Sequence, residues 1–221
     1  MFIIPPMSEK KKEKPEKAKP TFGQVCLEYG QAIVLAVALA LVIRSFLFQA
    51  FQIPSGSMIP TFLEGDRVLV EKFAYGLRNP FNNHIWVETG RPERWDVVVF
   101  ISPEDHDKDF VKRVVGLPGE TVALMDGEVF INGRRLEDPH GRHDPRSPSP
   151  LRDRPPRLMG ENEYFMMGDN RDHSSDSRAW GPVEFGLLKG RAWRLYWSWD
   201  PSPGRDLGDR LRVGRIGRRV E

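Results

Sequence analysis

The chain has 221 residues, of which 39% are hydrophobic and 29% are charged, and its 33 basic and 31 acidic side chains give a formal net charge of +2. This composition excludes wholesale disorder, and the near-balance of charge gives no general reason to expect nucleic-acid binding. The length suits one substantial domain with an appendage. The single cysteine, Cys26, cannot form an internal disulfide, so cysteine usage leaves the redox compartment open.

The first 21 residues form a basic segment in which lysines alternate with glutamates and prolines. Such a segment cannot bury a hydrophobic core, so we predict a disordered tail over residues 1–21. Its position before an apolar stretch predicts that it stays in the cytoplasm.

An apolar stretch follows, and we predict a transmembrane helix over residues 22–51. Counted through Phe48, it reaches about 20 residues, which is enough to cross a bilayer. A buried helix of a soluble protein and a removed secretory signal are the alternatives. No small-x-small cleavage site follows, and Phe46, Phe48 and Phe51 suit an anchor at the membrane interface. A retained anchor places the rest of the chain outside the cytoplasm.

Short β-like runs and turns dominate the chain after the anchor. No convincing helical period extends over three turns past residue 60, so we predict a mainly β domain of coiled antiparallel sheets over residues 52–200. Asp126-Gly127 between two such runs is a strong hairpin signal. The predicted strands are 67–73, 96–100, 110–116, 121–125, 128–133, 163–170 and 191–199.

Two segments depart from the strand pattern. Residues 138–157 are rich in proline and arginine, which predicts an inserted, solvated loop without sheet pairing. His140 and His143 in this loop have no third ligand nearby in the sequence, so we predict no metal site and no cofactor. Residues 201–221 are rich in glycine and arginine, and we predict a loose solvated tail, with contact to anionic lipid or a protein as the alternative.

The stretch IPSGSMIPT, residues 53–61, places two serines just after the anchor. A serine nucleophile needs a base within hydrogen-bond reach and donors for the oxyanion. The chain has five histidines, but no serine lies in a G-x-S-x-G turn, which disfavours a Ser-His-Asp hydrolase.

Lys112 offers a different base, because it lies in the apolar strand-like run DFVKRVVG. Desolvation lowers the pKa of a lysine, and the neutral amine can then accept a proton from a serine hydroxyl. Strand geometry predicts that Lys112 and Arg113 point to opposite faces. The alternative is that both are solvated residues of an edge strand.

A dense polar run, MGDNRDHSSDSRAWGP, covers residues 167–182 directly after an apolar strand. Its alternating acids, arginines and hydroxyls suit either a plain loop or a buried hydrogen-bonded network that supports a site.

Together, five stretches resemble type I signal peptidase, and they occur in the same order as in that family: PSGSMIPT, GDRVLVEKFAYG, RWDVVVF, DFVKRVVGLPGE and MGDNRDHSSDSRAWGPV. The resemblance spans residues 22 to 200 and implies a membrane-anchored serine endopeptidase with a Ser–Lys dyad. It implies that the substrates are secretory preproteins, cut after a small-x-small motif.

The resemblance also assigns roles by position. Ser57 is the implied nucleophile, Lys112 the general base, Ser55 the side-chain donor of the oxyanion hole, and Ser174 the residue that orients the lysine amine. The backbone N–H of Ser57 is the second oxyanion donor. The implied network of ion pairs that supports the site consists of Asp169, Arg171, Asp176 and Arg178. The implied substrate contacts are Ile53, Pro54 and Met58.

The implied location is a single-pass protein of the bacterial inner membrane, with the catalytic domain on the periplasmic face, close to lipid and to the export translocon. Some relatives have two transmembrane segments, whereas one is evident here, and the loop at 138–157 matches none of the family stretches. His173, beside the polar network, is expected to tune local charge without taking part in catalysis.

Two other functions remain open from sequence. A self-cleaving Ser–Lys protease of the repressor type shares the dyad logic, but residues 1–52 offer no helix-turn-helix pattern. A membrane-tethered β module that binds partners through the polar loop would retain its function without Ser57 or Lys112.

Overall fold

The computed structural model describes residues 22–79, 82, 84–204 and 206–221. The predicted tail at 1–21 lies outside the described residues. The chain divides into two compact units, with the boundary between Leu41 and Val42.

The N-terminal unit contains most of helix α1, Phe22–Val42, whose apolar side chains are largely exposed. The segment Val25–Leu47 has a mean hydropathy of 2.1 and is long and apolar enough to cross a membrane. A helix that is apolar on all sides needs apolar surroundings to cover it. The predicted anchor helix extends too far, to Phe51. In the structure α1 ends at Val42, a π-helical turn covers residues 43–47, and a strand begins at Phe48.

The larger unit, residues 42–221, is built mainly from antiparallel strands, which confirms the predicted mainly β fold class. Its strands are β1 (Phe48–Gln52), β2 (Asp66–Glu71), β3 (Leu77–Arg78), β4 (Ile85–Val87), β5 (Val97–Ile101), β6 (Asp109–Gly116), β7 (Thr121–Met125), β8 (Glu128–Ile131), β9 (Arg134–Arg135), β10 (Arg154–Leu158), β11 (Glu163–Met167), β12 (Val183–Glu184) and β13 (Leu188–Ser198). Two short helices, α2 (Ser177–Trp180) and α3 (Leu207–Arg210), complete the regular elements together with several 3₁₀ turns.

Seven strands form the main sheet in the order β1-β2-β13-β5-β6-β11-β12. A second sheet has the order β10-β7-β8-β9, and β3 pairs with β4. The hairpin between β7 and β8 is confirmed: Asp126 has φ 51° and Gly127 has φ 83°, as a tight turn with two left-handed residues requires. Strand β6 lies inside the main sheet, between β5 and β11, so Lys112 and Arg113 are not edge-strand residues.

The prediction that residues 138–157 exclude sheet pairing is wrong at the end of the loop. Strand β10 pairs with β7 through Arg154↔Leu124 and Arg157↔Val122, with a register shift between the two pairs. Pro155 and Pro156 fall within that irregularity, and β10 is an edge strand. An edge position and an irregular register tolerate the missing proline N–H groups.

The prediction of a loose C-terminal tail is also wrong. The Arg215 guanidinium pairs with the fully buried Asp66 at 2.6 Å, and the backbone N–H of Val220 donates to the Trp193 carbonyl at 3.0 Å. Residues 206–221 therefore pack along β13 and β2, and the folded domain extends beyond residue 200.

Candidate active site

Ser57 lies in a single 3₁₀ turn, Gly56–Met58, between β1 and β2. Met58 is completely buried and packs with Ile53 and Phe62 in the core cluster beneath the turn. The Phe62 N–H donates to the Met58 carbonyl at 2.9 Å. The turn is thus held from below by an apolar side chain. Met58 was predicted to contact substrate, but its burial makes it a core residue.

Lys112 reaches Ser57 from the middle of the main sheet. Its Nζ donates to Ser57 Oγ at 2.8 Å and to the Val111 carbonyl at 3.1 Å. The side chain of Lys112 comes from β6, where the residue pairs with Val98 of β5, and only 5% of the residue is exposed. Residues 55 positions apart in the sequence are therefore brought into direct contact by the sheet.

The surroundings of Lys112 favour its neutral form. Burial lowers the pKa of Lys112 to about 8, against an ordinary value of 10.5. The charges of Asp176 and Asp169 act in the opposite direction, and that of Arg178 lowers the pKa further. Desolvation outweighs the two carboxylates because each of them is neutralised by its own arginine. A substantial fraction of the amine is therefore unprotonated in mildly alkaline solution.

A cavity of about 370 Å³ opens in front of the two side chains. Ser55, Ser57 and Lys112 border it together with chain segments 51–54 and 108–111. Ser55 is exposed with extended backbone, φ −140° and ψ 159°. Of the predicted substrate contacts, Ile53 and Pro54 do line this cavity. The arrangement gives a peptide room to lie between two extended segments with a hydroxyl and an amine at its side.

Arg113 points away from Lys112, as strand alternation predicts, and forms a buried ion pair. Its Nε and Nη2 donate to the two carboxylate oxygens of Asp169 at 2.7 and 2.8 Å, and both side chains have no exposed surface. Thr61, four residues after Ser57, donates its hydroxyl to the same carboxylate at 2.6 Å. Sequence reasoning missed the roles of Arg113 and Thr61, because the alternation in β6 indicated only that Arg113 faces the side opposite Lys112.

The four predicted network residues are all buried. Asp176 and Arg178 form a two-point ion pair with both contacts at 2.7 Å, and Asp176 also accepts the Gly168 N–H at 3.0 Å. Asp169 pairs with Arg113. Arg171 pairs with Asp138, which belongs to the inserted loop.

Ser174 does not form the expected hydrogen bond with Lys112 in this structure. Its Oγ is buried and has no hydrogen-bond partner among the described residues. The hydroxyl lies beside Gly168, where any Cβ would clash with both Ser174 Oγ and the Ser57 carbonyl. Ser174 is therefore close to the turn that carries the nucleophile, with an unused donor.

Two histidines connect the inserted loop, residues 138–157, with the polar run at 167–182. His143 Nδ1 lies 3.2 Å from Asp172 Oδ2, and His173 Nε2 lies 3.6 Å from Asp144 Oδ2. His140 packs against Trp95, with ring centroids 5.4 Å apart and the ring planes tilted by 53°. Among the residues that the structure describes, no group of three or more His, Cys, Asp or Glu side chains is arranged to hold a metal ion.

Comparison with known proteins matches the chain to one family. The family model described as signal peptidase, peptidase S26, matches residues 26–197. Signal peptidase I of Pseudomonas fluorescens is 36% identical over 224 residues, which cover 86% of this chain and 79% of that protein. Signal peptidase I T of Bacillus subtilis is 37% identical over 177 residues, covering 78% of this chain and 85% of the relative.

A crystal structure of a signal peptidase I from Enterococcus faecalis is 29% identical, with a TM-score of 0.38, and covers 46% of this chain and 97% of that one. The family match and the identities to the curated relatives extend over most of the chain. The chain therefore belongs to the S26 signal peptidase family, serine endopeptidases that remove signal peptides.

Proposed function

We propose that the chain is a membrane-anchored signal peptidase in which Ser57 is the nucleophile and Lys112 the general base. The observation that carries this proposal is the 2.8 Å contact between Lys112 Nζ and Ser57 Oγ. Direct contact allows proton transfer without an intermediate group. The depressed pKa of Lys112, about 8, makes the neutral amine available.

The reaction follows from this geometry. The neutral Lys112 amine takes the proton from Ser57 Oγ, and the oxygen attacks the carbonyl carbon of the scissile peptide bond. The oxyanion accepts hydrogen bonds from the Ser55 hydroxyl and the Ser57 N–H. Lys112 then gives its proton to the departing amine, which leaves an ester on Ser57. Water, deprotonated by the same amine, hydrolyses the ester and restores the free hydroxyl.

Ser174 orients the lysine in this scheme. Lys112 carries three protons when charged, and the structure uses two of them, on Ser57 and Val111. The buried hydroxyl of Ser174, which has no hydrogen-bond partner among the described residues, is available to guide the amine. A hydroxyl can do so without the negative charge that would hold the lysine protonated.

The proposed substrates are secretory preproteins cut after a small-x-small motif. The cavity is lined by Phe51, Ile53 and Val99 on its apolar side, and its modest size favours small side chains next to the cut bond. No nucleic acid and no cofactor take part in the proposed reaction.

The apolar segment Val25–Leu47 is the proposed single anchor in the bacterial inner membrane. The basic residues before it place the N-terminus in the cytoplasm and the catalytic domain on the periplasmic face, near membrane lipid and the export translocon. Protease digestion of right-side-out membrane vesicles tests this orientation, since a cytoplasmic catalytic domain would survive the treatment.

The pH dependence of preprotein cleavage tests the dyad. Protonated Lys112 cannot act as a base, so kcat/KM is expected to rise about tenfold per pH unit below pH 8 and to level off above it. The measurement is cleavage of a purified preprotein in detergent across pH 6 to 10. An ascending limb near the ordinary lysine value of about 10.4 would contradict a desolvated base.

Lys108 supplies the matched control for this profile. It borders the same cavity, but its amine is exposed and pairs with Asp105 at 2.7 Å. Lys108→Ala is expected to leave the ascending limb where it is in the wild type. A chain that only binds preproteins would leave them uncut at every pH.

A further inference from the structure

Asn170 holds the turn that carries Ser57. Its backbone N–H donates to the Ser57 carbonyl at 3.1 Å, and its side-chain Nδ2 donates to the Gly56 carbonyl at 3.1 Å. Two consecutive peptide units of the turn are thus fixed by one residue. The position of Ser57 relative to Lys112 depends on how firmly Asn170 itself is held.

The inserted loop, residues 138–157, binds the chain on both sides of Asn170. The Arg142 N–H donates to the Asp169 carbonyl at 2.7 Å, and the Arg171 N–H donates to the Arg142 carbonyl at 2.9 Å. Arg142 and Asn170 therefore form an isolated parallel bridge. The backbone of Arg142 is thus hydrogen-bonded to the residues before and after Asn170.

An ion pair between the buried Arg171 and the partly buried Asp138 holds the beginning of the loop. Asp138 pairs with Arg171, whose side chain also donates from Nε to the Gly168 carbonyl at 3.0 Å. Asp138 in turn accepts the N–H groups of His140 and Gly141, both at 2.9 Å. A Cβ on Gly141 would lie 2.7 Å from the Arg171 guanidinium, so the loop backbone packs directly against the pair.

Asp172 fastens the middle of the loop. Its two carboxylate oxygens accept the N–H groups of Asp144 at 2.7 Å and Ser149 at 2.8 Å. The side chain of Asp172 has only 2% of its surface exposed, although it lies in a polar turn. Residues on both sides of Asn170 are thus tied to different points of the same loop.

We propose that the loop at 138–157 is a strap that fixes Asn170 and, through Asn170, the turn of the nucleophile. Asn170 and Asp138 are then positioning residues for the cleavage reaction, and neither touches the reacting atoms. This inference rests on the proposed role of Ser57 as nucleophile. It assigns a task to a segment that matches none of the sequence stretches shared with the family.

The test compares single-turnover and steady-state cleavage of one preprotein by full-length variants. Asn170→Ala is expected to lower kcat by about 10- to 100-fold, since a small displacement of a reacting atom costs that much, and to leave KM within about twofold. Asp138→Asn, which removes the charge that holds Arg171 but keeps an acceptor for the loop, is expected to lower kcat in the same sense. The ascending limb of the pH profile is expected to stay in place, because Lys112 remains buried.

The double variant decides whether Asp138 acts through Asn170. Asp138→Asn combined with Asn170→Ala is expected to lose no more activity than Asn170→Ala alone. Independent effects that multiply would overturn the strap, and so would a wild-type kcat for Asn170→Ala or a loss expressed in KM. Where Asp138→Asn does not fold, as judged by its thermal unfolding, the kcat of Asn170→Ala decides alone.

Two further variants complete the experiment. Arg146→Ala is the control within the loop, because its side chain is 90% exposed and, among the described residues, bonds only to Asp144; this variant is expected to cleave at the wild-type rate. Ser57→Ala separates the two proposals. If Ser57→Ala still cleaves, the proposed function fails. If Ser57→Ala is inactive but the Asn170 and Asp138 variants cleave like the wild type, the proposed function stands and the strap is overturned.

Discussion

Ser57→Ala and Lys112→Ala are each expected to lower the rate of preprotein cleavage by about 10⁴-fold or more, and the double variant is expected to lose no more than either single one. The reason is that the two groups act as one unit through their 2.8 Å contact. Without the amine the hydroxyl is a poor nucleophile, and without the hydroxyl the amine has no proton to accept.

Single-turnover cleavage, followed by mass spectrometry of the released signal peptide, measures these losses. Ser175→Ala is the matched control, because Ser175 is an exposed serine in the same polar run as Ser174. A single variant that keeps more than about a tenth of the rate, or losses that multiply in the double variant, would show that the pair is not the catalytic unit.

Asp169→Ala is expected to lower the free energy of unfolding by about 3–5 kcal/mol, because it leaves the Arg113 guanidinium buried without its counter-charge. The loss extends to the hydroxyl of Thr61, which donates to the same carboxylate. Urea unfolding followed by tryptophan fluorescence measures the change. Because Thr61 lies only four residues after Ser57, losing its hydrogen bond is expected to disturb Ser57 and to slow cleavage as well.

A double-mutant cycle gives the control for this prediction. Arg113→Met removes the charge and keeps much of the side-chain volume, so Asp169→Ala combined with Arg113→Met is expected to be less destabilised than the sum of the single changes. Strict additivity would mean that the two side chains do not interact energetically, whatever their distance.

Local signals in the sequence marked Ser57 and Lys112 as candidates, and the family resemblance assigned their roles. Ser57 lies in a compact turn between prolines, and Lys112 interrupts an apolar strand where a lysine is otherwise disfavoured. Strand alternation also predicted correctly that Lys112 and Arg113 face opposite sides. The partner of Arg113 could not be predicted in the same way, since Asp169 is 56 positions away and is one of three aspartates in the same polar run.

The two segments that the sequence described as solvated illustrate a different limit. Proline and arginine content predicted a solvated loop over residues 138–157, but it does not report docking through backbone groups such as the Arg142 N–H. In the C-terminal segment, Arg215 pairs with the buried Asp66 of β2, and a composition count does not reveal that Asp66 needs a counter-charge. Burial of an acid inside a sheet becomes apparent only from the fold.

The desolvation of Lys112 has a consequence for the folded state itself. In the unfolded chain this amine titrates near 10.5 and in the folded domain near 8, so between these values the unfolded chain holds a proton that the folded one lacks. Burial of this amine therefore destabilises the fold by about 3 kcal/mol below pH 8, and this penalty falls as the pH rises from about 8 to about 10.5. At neutral pH the domain thus tolerates a reactive amine that weakens its own fold, and replacing that amine by an apolar side chain trades turnover for thermodynamic stability.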